Sequence, residues 1–360
     1  MLPTMETRHR IVTDSASALT REDDSSVDLL LTSPPYPMIE MWDESFAAQS
    51  PDAAEALRSG DGGAAFEAMH RLLDTVWGAA FRLLRPGGFA CVNIGDATRT
   101  VGGSFRLYTN HARVISACER RGFTALPPII WRKQTNAPNK FMGSGMLPAG
   151  AYVTLEHEYI LIFRKGEKRR FSGPDKERRR RSAIFWEERN SWYSDLWDLK
   201  GTRQLFGGSA SPRSRTGAFP LELAFRLVNM YSVEGDTVLD PFLGTGTTTI
   251  AALAAARNSV GYEREKSLEP VIDAAVDGCT EAVNGRQSRR LREHLDFLET
   301  YRREKGREPG YRNREYAFPV VTRQEVEIVL PELLSLREKT AGVVVAEHRR
   351  LQPIRSSDTG

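Results

Sequence analysis

Residues 236–249 read Asp236-Thr237-Val238-Leu239-Asp240-Pro241-Phe242-Leu243-Gly244-Thr245-Gly246-Thr247-Thr248-Thr249. A short apolar run at 236–240 reads as a strand, Pro241 stops it, and an Ala-rich helix is expected over 248–256. Gly244 and Gly246 let the backbone approach a ligand closely, and the helix start offers free N–H groups. The next strand is expected at 258–262, with Glu263 at its end. An acidic residue about 20 positions after such a loop is where a Rossmann-like unit bonds ribose hydroxyls. The pattern is Gly-x-Gly without the third glycine, and no lysine follows, which argues against a nucleoside triphosphate loop.

Working outward, strands are expected at 8–13, 27–31, 89–95, 126–132 and 157–163, the last two pairing with each other. Helices are expected at 64–84, 109–121, 220–231 and from about 285 to 305. A short strand near 317–321 and a final helix near 323–339 complete the chain. This alternation predicts a mostly parallel α/β sheet.

The strand at 27–31 ends in Thr32-Ser33-Pro34-Pro35-Tyr36. Two prolines fix the backbone, so the Ser33 hydroxyl and the Pro34 carbonyl converge on one point. Tyr36 adds a flat face. Two acceptors and a stacking ring suit an exocyclic amino group on a planar heterocycle.

Composition sets wider bounds. The chain has 360 residues, 40% hydrophobic and 27% charged, enough to bury a core without staples. Cys91, Cys118 and Cys279 show no CxxC spacing, so neither a disulfide framework nor a zinc site is expected. Cys91 lies in an apolar strand and reads as core. His70, His111, His157, His294 and His348 lack ligand spacing, and no metal is expected. With no disulfide framework expected, the chain reads as intracellular, and neither an apolar stretch long enough for a membrane span nor a signal pattern at the start is read.

Net charge is only +3, but residues 164–181 carry +7 and residues 286–314 carry +5. Such runs suit phosphate contact or form a solvated loop and a solvated helical cap, and on the first reading Arg178, Arg179, Arg180 and Arg181 are the candidate DNA-contacting residues. The aromatic cluster Phe185, Trp186, Trp192, Tyr193 and Trp197 reads as core. Residues 37–63 read as a mobile lid or as ordinary packing.

Together, Thr32–Tyr36 and Asp240–Thr248 resemble the S-adenosylmethionine-dependent DNA amino-methyltransferases. The catalytic motif precedes the cofactor motif, as in the circularly permuted β class. The resemblance runs from about residue 8 to 275 and takes in Asp14-Ser15, Leu84–Gly88, Asn93–Asp96, His157-Glu158-Tyr159 and Phe219-Pro220. It implies a Rossmann-like methyltransferase fold with a mostly parallel central sheet, permuted motif order and a charged C-terminal extension. The implied domains are a catalytic half (1–165), a target-recognition segment (166–215), a cofactor half (216–284) and the extension (285–360).

By matching position, Ser33, Pro34, Pro35 and Tyr36 take the catalytic roles. Asp240, Phe242, Gly244, Gly246, Thr247 and Thr248 line the methionine end of S-adenosylmethionine, Glu263 takes its ribose, and Asp14 lies near its adenine. Phe219 closes over the methionine part, although this chain reads Gly-Ala-Phe-Pro-Leu-Glu-Leu where many relatives carry a His-Pro-Thr type of sequence. Ser33 in first position is the form associated with N4-cytosine. The implied substrate is a flipped-out cytosine in double-stranded DNA, in a prokaryotic cytoplasm, with the enzyme either beside a separate restriction endonuclease or standing alone. N6-adenine methylation on the same scaffold is the alternative, and a non-catalytic DNA-binding protein is a remote one. The stretch Thr32–Asp43 is similar to a subgroup associated with short palindromes such as CTAG.

Overall fold

The computed structural model describes residues 4–133, 142–143, 146–201, 219–339 and 342–352. Ten strands form its main sheet. In chain order they are β1 (Met5–Thr13), β2 (Val27–Thr32), β3 (Leu84–Ile94), β4 (Phe123–Arg132), β5 (His157–Lys165), β6 (Leu196–Asp198), β7 (Thr237–Asp240), β8 (Asn258–Glu263), β9 (Pro331–Lys339) and β10 (Val343–Arg350). Across the sheet the order is β6-β4-β5-β3-β2-β7-β8-β1-β10-β9. The centre, β3-β2-β7-β8-β1, is parallel throughout. The expected pairing of 126–132 with 157–163 is present: β5 runs antiparallel to both β4 and β3. The α/β class with a large, mostly parallel sheet is thus the one read from the sequence.

The helices are α1 (Asp43–Ala47), α2 (Pro51–Ser59), α3 (Gly62–Leu83), α4 (Asn110–Glu119), α5 (Pro174–Arg181), α6 (Trp186–Trp192), α7 (Leu221–Tyr231), α8 (Thr247–Ala254), α9 (Glu269–Asp277) and α10 (Thr280–Lys305). Strand alternation divides the core between the two faces of the sheet. Leu30, Ala90, Val92, Leu161 and Phe163 pack with α3 and α4. Leu29, Leu31, Cys91, Ile160 and Ile162 point the other way and pack with α7 and α8. Cys91 is core, as expected.

Three expectations are narrowed or corrected. For residues 37–63 the packing reading holds at Met38, Phe46, Ala53 and Ala56, which are buried in the first core layer. Ser50 caps α2 by accepting from Ala53 N, and Gly60, at φ 77°, ends it. Of the aromatic cluster, Phe185, Trp192 and Trp197 are buried, whereas Trp186 and Tyr193 are exposed.

The third correction is the helix at 323–339. A single 3-10 turn at Arg323–Glu325 precedes β9, which pairs with β10, and β10 pairs with β1. A register shift between Leu333 and Ser335 puts Leu333 and Leu336 on the same buried side. That spacing of three imitates a helix, while the bulge supplies it within a strand. The extension therefore lengthens the main sheet rather than standing apart from it.

Candidate active site

Parallel pairing brings the C-terminal ends of β2, β7 and β8 to one edge of the sheet, and the two motifs leave from there. They are directly bonded although 208 residues apart: Thr32 Oγ1 donates to Asp240 Oδ1 at 2.6 Å. Thr248 Oγ1 donates to Asp240 Oδ2 at 2.6 Å, and Phe242 N donates to Oδ1 at 3.0 Å. Burial pushes the Asp240 carboxyl up to about 6, and these donors oppose the rise. Asp240 thus pins the catalytic loop to the glycine loop, and it is 2% exposed.

The glycine loop is shaped as a cradle. Gly244 and Gly246 have φ of 58° and 88°, and Gly246 caps α8 without any side-chain cap. A side chain built on Gly244 would meet only the Phe242 carbonyl, at 4.0 Å, so this side of the loop opens on free space. Glu263 Oε2 accepts from Gly244 N and Oε1 from Glu265 N, each at 2.8 Å. A carboxylate has about four lone-pair sites, so capacity remains for ligand hydroxyls. Phe242 packs partly buried against the first core layer, and Thr247 and Thr248 are buried in the first turn of α8.

Asp14 follows β1, whose Thr13 is paired with Glu263, so the two acids share this edge. Asp14 is ion-paired with Arg21 at 2.9 Å and accepts from Ser15 N at 2.7 Å. Phe219 is 4% exposed and buried in the second core layer with Leu31, Trp131 and Trp197.

At the catalytic loop, Ser33 Oγ lies 3.0 Å from Tyr36 Oη. Tyr36 Oη donates to Glu158 Oε2 at 2.9 Å. Asn93 Nδ2 donates to Tyr36 Oη and to Glu158 Oε2, each at 2.7 Å. Lys133 Nζ is ion-paired with Glu158, and lies 4.6 Å from the Trp131 ring centroid. Burial, then the Glu158 carboxylate, raises the Tyr36 phenol well above its ordinary range. Below this layer Asn110 Nδ2 donates to the carbonyls of Pro37 and Gly95, fixing the loop exit to the end of β3. Its Oδ1 lies 2.9 Å from His70 Nε2, and burial lowers His70 to about 4.

The sequence reading assigned no role to Glu158, Asn93 or Lys133. Glu158 reaches the site because β5 runs antiparallel to β4, so its N-terminal end meets the C-terminal ends of the others. Only the pairing of those strands carries that information.

Arg178–Arg181 are not beside this site. Arg178 donates to the Glu234 carbonyl and Arg181 to the Glu234 carboxylate, just before β7 begins, at the other end of that strand from Asp240. Arg178 is also ion-paired with Asp175 and Arg180 with Glu327, and Arg179 lies 4.6 Å over the Phe171 ring. Residues 202–215 of the expected target-recognition segment lie outside the described residues.

Comparison with known proteins agrees with this geometry. The DNA methylase profile matches residues 27–273. The chain is 48% identical to Type II methyltransferase M.MthZI of Methanothermobacter thermautotrophicus over 329 residues, 91% of each chain. It is 46% identical to Type II methyltransferase M.MjaI of Methanocaldococcus jannaschii, over 75% of this chain and 91% of that one. Among solved structures, TTHA0409 of Thermus thermophilus, in complex with S-adenosyl-L-methionine, is 33% identical with a TM-score of 0.56, over 73% of this chain and 91% of that one. The fold also matches PvuII DNA methyltransferase (cytosine-N4-specific), at 16% identity and a TM-score of 0.52, over 76% of this chain and 94% of that one. A glycine cradle bonded to the Thr32–Tyr36 loop through Asp240, and a family match that spans both, lead to one conclusion: this chain belongs to the DNA methylase family.

Proposed function

We propose that this chain transfers a methyl group from S-adenosylmethionine to the exocyclic N4 of a flipped-out cytosine in double-stranded DNA, acting in the cytoplasm as the modifying partner of a separate restriction endonuclease. One observation carries the reading: the Ser33–Tyr36 loop leaves the same sheet edge as the open Gly244–Thr248 cradle, and the Thr32–Asp240 hydrogen bond locks the two together. The cradle suits the cofactor, with an uncapped helix start for its carboxylate end and Glu263 for its ribose hydroxyls. Asp14 stands nearby for the adenine ring.

The cofactor supplies a methyl group on a sulfonium, a leaving group good enough to need no covalent enzyme intermediate. The chain offers no thiolate here: Cys91 is buried, and burial raises its thiol. A ring amino group is a weak nucleophile because its lone pair is delocalised. Ser33 Oγ and the Pro34 carbonyl accept its two hydrogens and favour a tetrahedral nitrogen with the lone pair released. Tyr36 stacks on the base, which must leave the duplex to reach the pocket. Positioning and fixed dipoles supply most of the acceleration.

DNA then approaches the edge that carries Ser33. Among the described residues no helix is long and apolar enough to cross a membrane. Methylome sequencing of DNA from cells expressing the chain tests the reading, with N4-methylcytosine expected in a single short context. N6-methyladenine alone would overturn the base assignment, and unmodified DNA would overturn the function.

A further inference from the structure

Resting on the amino-methylation reading of the Ser33 site, we propose that Glu158 is a positioning residue: acting through Tyr36, it turns the Ser33 proton away from the substrate and leaves Ser33 Oγ as a pure acceptor. Between Ser33 and Tyr36 either hydroxyl can donate, and the distance of 3.0 Å does not choose. The surroundings do. Glu158, ion-paired with Lys133, offers only acceptor oxygens, and Tyr36 Oη lies 2.9 Å from one of them. Asn93 Nδ2 lies 2.7 Å from the same oxygen and 2.7 Å from Tyr36 Oη. Turning that amide over would set its carbonyl against the carboxylate, so the amide donates to both.

Tyr36 has one proton, and Glu158 takes it. The Tyr36 oxygen, already accepting from Asn93, can then only accept from Ser33. The Ser33 proton is used in that bond, and its remaining lone pairs face the site. Each bond in the chain from Ser33 through Tyr36 to Glu158 polarises the next. A base that presents a carbonyl where cytosine has its amino group would meet acceptors alone. Without Glu158, the Tyr36 hydroxyl is released to donate to Ser33, and the Ser33 proton turns toward the hydrogens it should receive.

The test uses the full chain with Glu158→Ala, Tyr36→Phe and the double variant, each checked by thermal melting. Tyr36→Phe keeps the ring for stacking and removes only the hydroxyl. In single-turnover methyl transfer to duplex DNA, each single variant should be about tenfold slower, the worth of one organised hydrogen bond. S-adenosylmethionine affinity should be unchanged. The double variant should be no slower than the slower single one, because both break the same chain. Losses that multiply would overturn the proposal.

A second measurement needs no activity. Absorbance titration, taken as the difference from Tyr36→Phe, isolates Tyr36, which should ionise at lower pH once Glu158 is replaced by alanine. An unchanged titration would overturn the Glu158–Tyr36 link. Wild-type chain that methylates no DNA would instead overturn the functional reading, with the titration still deciding the link.

Discussion

At the C-terminal edge of β2 and β7, the two acids of the glycine cradle are held by neutral donors, Asp240 by Thr32, Thr248 and Phe242 N and Glu263 by two backbone amides, while Asp14 and Glu158 beside them pair with Arg21 and Lys133. At the opposite edge the buried acids Asp28 and Asp236 each add a guanidinium partner to one backbone N–H. Arg169 bonds Asp236 at 2.7 and 3.1 Å and lies 3.2 Å from Asp28, and Arg85 bonds Asp28 at 3.0 Å. Neutral donors fix a carboxylate without cancelling its charge, which leaves an edge able to bind. Arginine fixes and cancels together, which leaves an edge that is closed. Three arginines of the basic run 164–181, Arg169, Arg178 and Arg181, bond at the closed edge.

The largest expected effect breaks that closed edge. Arg169→Ala leaves Asp28 and Asp236, with side chains 3% and 1% exposed, without their shared cation. Removing one partner of a buried ion pair costs about 3–5 kcal/mol, to be read as a fall in the urea midpoint. The methyl-transfer rate of the folded fraction should stay unchanged. A loss under about 1 kcal/mol, the range of exposed pairs, would refute the closed-edge description.

Ser33→Ala is the mirror experiment. It should slow single-turnover methyl transfer about 100-fold, the usual cost of deleting one preorganised polar contact to the reacting group. The urea midpoint should hold, because the Ser33 hydroxyl gives up only its bond to Tyr36, whose own hydroxyl keeps Glu158 and Asn93. Equal activity in the variant would remove Ser33 from the chemistry.

Buried groups at the open edge and between β1 and β10 answer pH with opposite sign. Burial raises Asp240 from 3.8 to about 6, so the folded state keeps its proton longer. That contribution to stability is present below pH 3.8 and is lost as pH rises through about 6. On β1 and β10, His9 and His348 share the Thr7 hydroxyl at 2.8 Å each, and burial lowers them from 6.5 to about 3 and about 4. Their contribution is present above pH 6.5 and is lost as pH falls through about 4 and then about 3. Between pH 4 and 6 the effects oppose each other. Asp240→Asn should therefore make stability climb more steeply with pH in this window, by up to about 1.4 kcal/mol per pH unit. An unchanged slope would show that Asp240 is not held near 6.

The open edge is far more legible in the sequence than the closed one. Thr32–Tyr36 and Asp240–Glu263 are local patterns: a proline pair, two glycines and an acid at a fixed offset. Their chemistry follows from neighbours along the chain. Glu158 is not legible in this way, because its role depends on β5 entering the sheet antiparallel, with its first residues at the site. In the Arg-rich run the sequence shows charge and not its partners, because Asp28, Glu234 and Asp236 are distant in the chain. The mistaken helix at 323–339 has the same origin. Leu333 and Leu336 repeat at a helical interval, and only β10, arriving from residues 343–350, turns that interval into a bulged strand.

The smallest expected effect tests the contrast most directly. Arg179 rests over the Phe171 ring at 4.6 Å, on the short helix α5 whose neighbouring arginines bond Asp175 and Glu234. If the closed edge faces away from DNA, Arg179→Ala removes a positive charge without removing a phosphate contact. DNA affinity should then change by no more than about twofold, and the dependence of log affinity on log salt should keep its slope. A residue that neutralises one phosphate in B-DNA contributes about 0.9 to that slope, well within the reach of a salt series. A drop of that size on Arg179→Ala would place DNA on both edges and end the division between them. An unchanged slope keeps Arg179 off the phosphates and leaves the division between the two edges standing.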